Sequence, residues 1–296
     1  MTYCRFCQYI FDRRMKEIKA YAAERGVALL GDLPIYVSEY SADVWAHRHL
    51  FLLDSDGNKK ELAGVPPDYF SAEGQLWGNP LYDWAAMEKE NFSWWLARLA
   101  RSFSLYDYVR LDHFRGFAAC WSVAAGKTAK EGRWVDVPGR RLFEAAYRKF
   151  GPLPIIAEDL GTITVEVRLL LARCGLSGMS VVQFYDSDPL LGYEPPRNTL
   201  AYTGTHDNET LLGWCSARYG EENAEKAAEA LTEAVYNSRA QVVITPLQDL
   251  LRLDNSARMN TPGTTIGNWM WQADADALTP DVADRLHNIT KRSKRS

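Results

Sequence analysis

Two patterns of apolar positions alternate along the chain. Continuous apolar runs fall at 27–37 ("VALLGDLPIYV"), 106–112, 153–158, 178–185, 199–205 and 240–247. Runs of this kind, without strict alternation, suit strands buried on both faces of a parallel sheet. Between them lie segments compatible with helices at 84–102, 139–150, 163–174, 209–218 and 221–239. Ahead of the first run, Phe6, Ile10, Met15, Ile18 and Tyr21 recur near helical spacing, and Gly26 offers a stop. That predicts an amphipathic helix over 5–25. Strand, helix and strand in repetition predict βα units, hence an α/β fold with a parallel sheet.

The segment 38–83 departs from this rhythm. It is dense in Pro, Gly and aromatic residues and has little helical periodicity. A long loop inside a compact domain is usually functional or disordered, and this one has too many aromatics to remain unpacked. At the other end, 273–296 reads as a C-terminal helix and tail, and the basic "TKRSKRS" as a solvated terminus.

Composition narrows the functional classes. A net charge of −4 without a basic stripe argues against nucleic acid as a partner. No apolar run is long enough for a membrane span, and the N-terminus is too charged for a signal peptide. The expected location is therefore the cytoplasm, or a plastid in a plant. Five cysteines make no disulfide framework, and Cys4 and Cys7 read as incidental thiols for want of a second pair. The aromatic content, 12%, suits either the stacking of sugar rings or an aromatic core.

Candidate chemistry sits where the apolar runs end. Asp32, Asp112, Glu158 and Asp207 each lie at or near such an end, on different predicted strands. In a (β/α)8 barrel these ends face one shared bowl. Two carboxyl groups there could cleave a glycosidic bond, one at the anomeric carbon and one protonating the leaving oxygen, about 5–5.5 Å apart in a retaining enzyme. Arg110, two residues before Asp112, leaves a strand on the same face, so its guanidinium would hold Asp112 ionised. Glu158 would need the opposite treatment, a raised pKa. Other readings stay open for these residues alone: a structural Arg110–Asp112 ion pair, a hydrogen-bonded core His206, a Glu158–Asp159 loop start, or carboxylates cradling Mg²⁺. The fixed charge of Arg110 argues against the last. No glycine-rich nucleotide motif and no convincing metal-ligand spacing occurs, so neither cofactor nor metal is expected.

The strings "GDLPIYV", "GVPPDYFSAEGQLWGNPLYDW", "VRLDHFRGF", "IIAEDLGT", "YTGTHDNET" and "ARMNTPGT" followed by "GNW" closely resemble the 4-α-glucanotransferases (amylomaltases, or disproportionating enzymes) of glycoside hydrolase family 77. The likeness runs from about residue 6 to residue 272. It implies an amylase-type (β/α)8 barrel over 1–272 with the insert 38–83. It also implies α-1,4-glucans and maltooligosaccharides as substrates, and a retaining double displacement that passes a glucan segment to the 4-hydroxyl of an acceptor. Asp112 would be the nucleophile, Glu158 the general acid and base, and Asp207 a ligand of sugar hydroxyls in the −1 subsite. Asp32, Arg110, His113, His206 and Asn208 would support binding. Tyr69 and Phe70 would arch over the cleft, with Gln75 and Trp77 lining it. An aromatic lid that excludes water favours transfer over hydrolysis. A hydrolytic α-glucosidase or amylase-type enzyme and an inactive glucan-binding fragment are the alternatives.

Two departures from the family pattern stand out. Only six strands are predicted, the family's third to eighth; its first two would precede residue 6. The resemblance therefore implies a truncated chain, and the rival readings are a split enzyme completed by another segment and a degenerate paralogue. Gln272 also stands where the family often has Arg.

Overall fold

A computed structural model of the chain describes residues 2–67, 72–264 and 266–295. The chain groups into two compact units, Met1–Ser177 and Gly178–Ser296.

In the first unit the strands are β1 (Leu30–Leu33), β2 (Glu61–Val65), β3 (Gln75–Pro80), β4 (Tyr108–Leu111), β5 (Ala119–Ala124), β6 (Arg133–Asp136) and β7 (Ile155–Ala157). The three predicted from continuous apolar runs, β1, β4 and β7, pair in parallel in the order β1-β4-β7, with Leu33 beside Leu111 and Leu111 beside Ala157. The helices Ser93–Leu105 and Gly139–Phe150 bury Trp94, Trp95 and Leu99 from one and Leu142, Phe143 and Ala146 from the other. These join Val109, Leu111, Phe114, Phe117 and Ile155 in one core, which is why β4 and β7 are buried without alternation, whereas β1 alternates.

The insert is not the loop that its composition suggests. β2 and β3 within it pair with β5 and β6 in a four-stranded antiparallel sheet, order β3-β2-β5-β6. Its strands are short, and a register shift falls between Leu62 and Gly64. Their pairing with 119–136 is long-range, so local periodicity carries little trace of it.

The first helix spans Thr2–Ala23, close to the expected range, and ends near Gly26 at φ +68°. Of its expected apolar face only Ile10 and Met15 are half-buried. Phe6, Tyr9, Ile18 and Tyr21 are all exposed, and only Ala22 is buried. The helix is fastened through Lys19, whose ammonium donates to the Tyr106 carbonyl (2.9 Å) and meets Asp107 (3.3 Å).

In the second unit β8 (Gly178–Val181), β9 (Thr199–Tyr202) and β10 (Val242–Ile244) form a second parallel sheet with β9 central. The helices Leu211–Tyr219 and Glu221–Asn237 pack Leu211, Cys215, Leu231 and Val235 against Val182 and Ala201. The helix Pro280–Arg292 lies in the expected C-terminal segment. The tail beyond it is not simply solvated. Arg295 donates to the carbonyls of Tyr236, Ser238 and Ala240, satisfying acceptors at and just beyond the C-terminus of Glu221–Asn237.

Gly31 in β1 shows how closely this framework is packed, since a β-carbon there would overlap the Tyr106 ring. Gly31→Ala is expected to lower stability by about 1–3 kcal/mol through overpacking; urea unfolding midpoints of the two proteins measure it.

Candidate functional site

The pairing of β1, β4 and β7 continues one residue beyond the strands. The Asp112 amide donates to the Leu33 carbonyl (3.1 Å), and the Glu158 amide donates to the Leu111 carbonyl (3.0 Å). Asp112 and Glu158 thus leave the C-terminal ends of neighbouring strands. Arg110, one step inside β4, reaches both flanking acids. Its Nε and Nη2 donate to the two Asp32 carboxylate oxygens (2.9 and 2.8 Å), and Nη2 also donates to Asp112 Oδ1 (3.0 Å). A bidentate fork of this kind fixes the plane of the Asp32 carboxylate. The arginine side chain is about 10% exposed, those of Asp32 and Asp112 about 44% and 39%. Burial works against the arginine's charge, but the bonds to Asp32 and the charges of Asp32, Asp112 and Glu158 outweigh it. Its pKa rises further above the ordinary guanidinium range.

Glu158 is treated in the opposite way. Burial first, and the neighbouring Asp112 charge second, push its carboxyl up to about 8. Arg110 and the amides of Leu160 (3.2 Å) and His113 (2.8 Å) oppose the rise without cancelling it. At neutral pH this carboxyl holds a proton while the arginine keeps positive charge beside Asp112.

His113 follows Asp112 at φ +51°, a left-handed backbone that turns the chain sharply after β4. Burial, assisted by the Arg115 charge, lowers its pKa to about 4, so the imidazole is neutral. Its Nε2 is buried and has no hydrogen-bond partner among the described residues. Trp77 of β3 meets this ring edge-on at 4.9 Å, and the Trp77 indole N–H donates to Gln75 Oε1 (3.2 Å). The antiparallel sheet thus brings Trp77 and Gln75 beside the strand ends. Tyr69 and Phe70 lie outside the described residues.

The second unit holds the other expected acid. Asp207 sits on the loop after β9, accepting from Asn260 Nδ2 at Oδ1 (2.5 Å) and facing His206 Nε2 at Oδ2 (3.3 Å). Arg258 donates to the Asp207 carbonyl (2.8 Å). Trp269 packs on His206 with ring centres 5.1 Å apart. Asn208 is buried, and its side-chain oxygen accepts from the Thr205 amide and hydroxyl (2.9 and 2.8 Å), so in this structure it shapes the loop.

Several contributors carried no individual sequence signal. Tyr82 and Arg98 both donate to the Ile35 carbonyl, and Asn79 donates to the Val37 carbonyl, bracing the segment that follows Asp32. Arg258 and Asn260 belong to the noted string "ARMN", but nothing local ties them to Asp207. Among the described residues no group of three or more His, Cys, Asp or Glu is placed to hold a metal ion. No described helix is long and apolar enough to cross a membrane.

Comparison with known proteins places this geometry in context. The sequence profile of glycoside hydrolase family 77, described as 4-alpha-glucanotransferase, matches residues 1–277. The 4-alpha-glucanotransferase of Streptococcus pneumoniae serotype 4 is 45% identical over 98% of this chain, and that of Thermus thermophilus is 43% identical over the same share. The chain spans only 61% and 63% of their respective lengths. Among solved structures, an amylomaltase from Streptococcus agalactiae in complex with acarbose superposes with a TM-score of 0.90 at 39% identity, covering 98% of this chain and 62% of that one.

The raised pKa of Glu158 has a consequence for stability. The folded chain binds this proton more tightly than the unfolded chain does. The group's contribution is complete below the ordinary carboxylate range and is lost as pH rises to about 8, at up to about 1.4 kcal/mol per pH unit. Glu158→Gln is therefore expected to gain stability relative to the parent between pH 5 and pH 8, and to level off above. Chemical denaturation of both proteins at pH 5, 7 and 9 checks it; a constant difference would refute the shift.

Proposed function

The chain belongs to glycoside hydrolase family 77, and on that premise we propose that it carries the catalytic carboxylates of a retaining 4-α-glucanotransferase. One observation supports this above others: Asp112 and Glu158 leave adjacent strand ends, with Arg110 bonded to the first and a proton held on the second at neutral pH. In the proposed reaction, an Asp112 carboxylate oxygen attacks the anomeric carbon of an α-1,4-linked glucosyl unit. Glu158 gives its proton to the departing glycosidic oxygen as that bond breaks. The product is a β-linked glucosyl ester on Asp112 and a free 4-hydroxyl on the released sugar. Glu158, now a carboxylate, takes the proton of an acceptor's 4-hydroxyl as that oxygen attacks the same carbon and frees Asp112. No redox cofactor or metal enters the balance.

The remaining contacts are assigned by the family likeness and by their surroundings. Asp32 fixes Arg110 through its paired bonds and Arg110 orients Asp112. The neutral His113 and the partly exposed Trp77 packed against it are assigned to the glucan path. Asp207 and His206 are assigned to sugar hydroxyls of the −1 subsite, with Gln75, Tyr69 and Phe70 to the glucan path. The substrates are α-1,4-glucans and maltooligosaccharides.

We further propose that the parent architecture is the amylase-type (β/α)8 barrel, of which this chain supplies part. The chain spans about three-fifths of its relatives' length. The outer edge of β1 has no strand partner among the described residues, and Phe6, Tyr9 and Tyr21 are exposed nearby in sequence. Both features support further polypeptide of the same enzyme, one offering strand pairing and the other apolar burial.

On maltotriose, transfer is expected to yield glucose together with oligomers longer than the substrate; glucose and maltose alone would mean hydrolysis. Asp112→Asn is expected to abolish transfer while retaining glucan binding, measured by chromatography of products and by calorimetry. Glu158→Gln is expected to keep more activity on substrates whose leaving group needs no proton than on natural glucans. Equal losses on both would remove Glu158 from the acid role.

A further inference from the structure

The loop that presents His206 and Asp207 starts after β9 and ends where the helix Leu211–Tyr219 begins, and one side chain grips both ends of it. Asp249, on the short helix Leu247–Leu250 that follows β10, accepts the Leu211 amide at Oδ1 (2.7 Å) and the Thr203 hydroxyl at Oδ2 (2.7 Å). Thr203 and Leu211 are themselves buried, with 0% and 2% exposure.

The plainest account of such a carboxylate is a helix cap, and the structure argues against that as its whole role. The helix already has a cap: Thr210 Oγ1 accepts the Gly213 amide (3.2 Å). A cap also needs one oxygen at one end, whereas the second Asp249 oxygen is bonded at the far end of the loop. Burial raises the Asp249 pKa, and the bonds from Leu211 and Thr203 oppose the rise. One further side chain spans nearly the same interval, from the backbone side, and the remaining ties hold the loop at single points. Gln183 Nε2 donates to the carbonyls of Thr203 and Glu209 (3.1 and 3.0 Å), and Asn255 Oδ1 accepts from Thr210. Arg258 and Asn260 hold Asp207 itself.

We infer that Asp249 is a positioning residue for Asp207: its two oxygens set the distance between Thr203 and Leu211, and thereby the placement of the loop carrying His206 and Asp207. This rests on the assignment of Asp207 to sugar hydroxyls given above. Misplacing such a loop weakens interactions that tighten in the transition state more than those in the ground state, so the loss falls on turnover.

Three variants test it on the full chain. Asp249→Ala removes both bonds. Asp249→Asn can keep both, its oxygen accepting from Leu211 and its amide donating to the Thr203 hydroxyl. Asp207→Asn removes the group that is being positioned. With maltotriose as substrate, Asp249→Ala is expected to lower kcat by about tenfold or more with a much smaller change in KM. Asp249→Asn is expected to retain most of the turnover. Asp207→Asn/Asp249→Ala should be no slower than Asp207→Asn alone, because the two act as one unit. Amide hydrogen exchange supplies a readout independent of turnover: Asp249→Ala should speed exchange across 204–208 and leave Glu221–Asn237 unchanged, while Asp249→Asn should behave as the parent. Unchanged exchange in 204–208 for Asp249→Ala would overturn the inference, as would Asp249→Asn exchanging as fast as Asp249→Ala. If exchange responds as expected but Asp207→Asn turns over normally, the assignment of Asp207 fails and the positioning of its loop stands.

Discussion

Leu33, Leu111 and Ala157 lie side by side in one row of a parallel sheet, and the chemistry of the first unit depends on that register. Parallel strands end at the same level, so the residues that follow them leave the sheet as neighbours. A slip of one position in β4 would turn Arg110 and Asp112 to the other face and bring Leu111 in their place. The register is held by burial. Val109 and Leu111 are almost wholly inaccessible, and Trp95, Leu99, Phe114 and Phe143 close over the strands. A functional group at a strand end is thus fixed by apolar contacts that never touch it.

On that frame burial and neighbouring charge together set the protonation of Glu158. The Arg110 side chain is largely buried, so its charge is poorly screened and acts strongly on Asp32 and Asp112 at 2.8–3.0 Å. Glu158 lies within reach of the same charge, yet desolvation and the neighbouring Asp112 prevail. The two amides that Glu158 accepts from offset only part of the cost. The rise in the Glu158 pKa draws on burial and a like charge together, since an exposed pair would be screened.

Several of these features were legible along the chain. The six apolar runs each became a parallel strand, and in β4, β7, β8 and β9 successive residues on both faces are buried, which needs apolar side chains on both. The positions of Arg110, Asp112 and Glu158 followed from where those runs stop. The antiparallel sheet of β2, β3, β5 and β6 was not legible, because its partners are up to 63 residues apart (Glu61 and Ala124) and its strands lack clear alternation. The exposed face of the first helix had the spacing of a buried one; periodicity reports a capacity to pack, and says nothing about what arrives to pack there. Arg295 belongs to a run of charges that reads as solvent-facing, until the open carbonyls after Tyr236 are placed beside it.

What the sequence determined by itself was the alternation of strand and helix, the identity of the acids at the strand ends and the family to which their surrounding strings belong. These are local properties, set by side-chain volume, charge and spacing within a few residues. Tertiary structure alone decided the rest: that Arg110 bonds Asp32 as well as Asp112, that Glu158 is desolvated enough to keep its proton, that His113 is neutral beside Trp77, and that Asp249 spans two ends of the Asp207 loop. Each of these depends on groups separated by tens of residues. Distance and dielectric between such groups exist only once the chain has folded, and both the pKa values and the hydrogen bonds are functions of them.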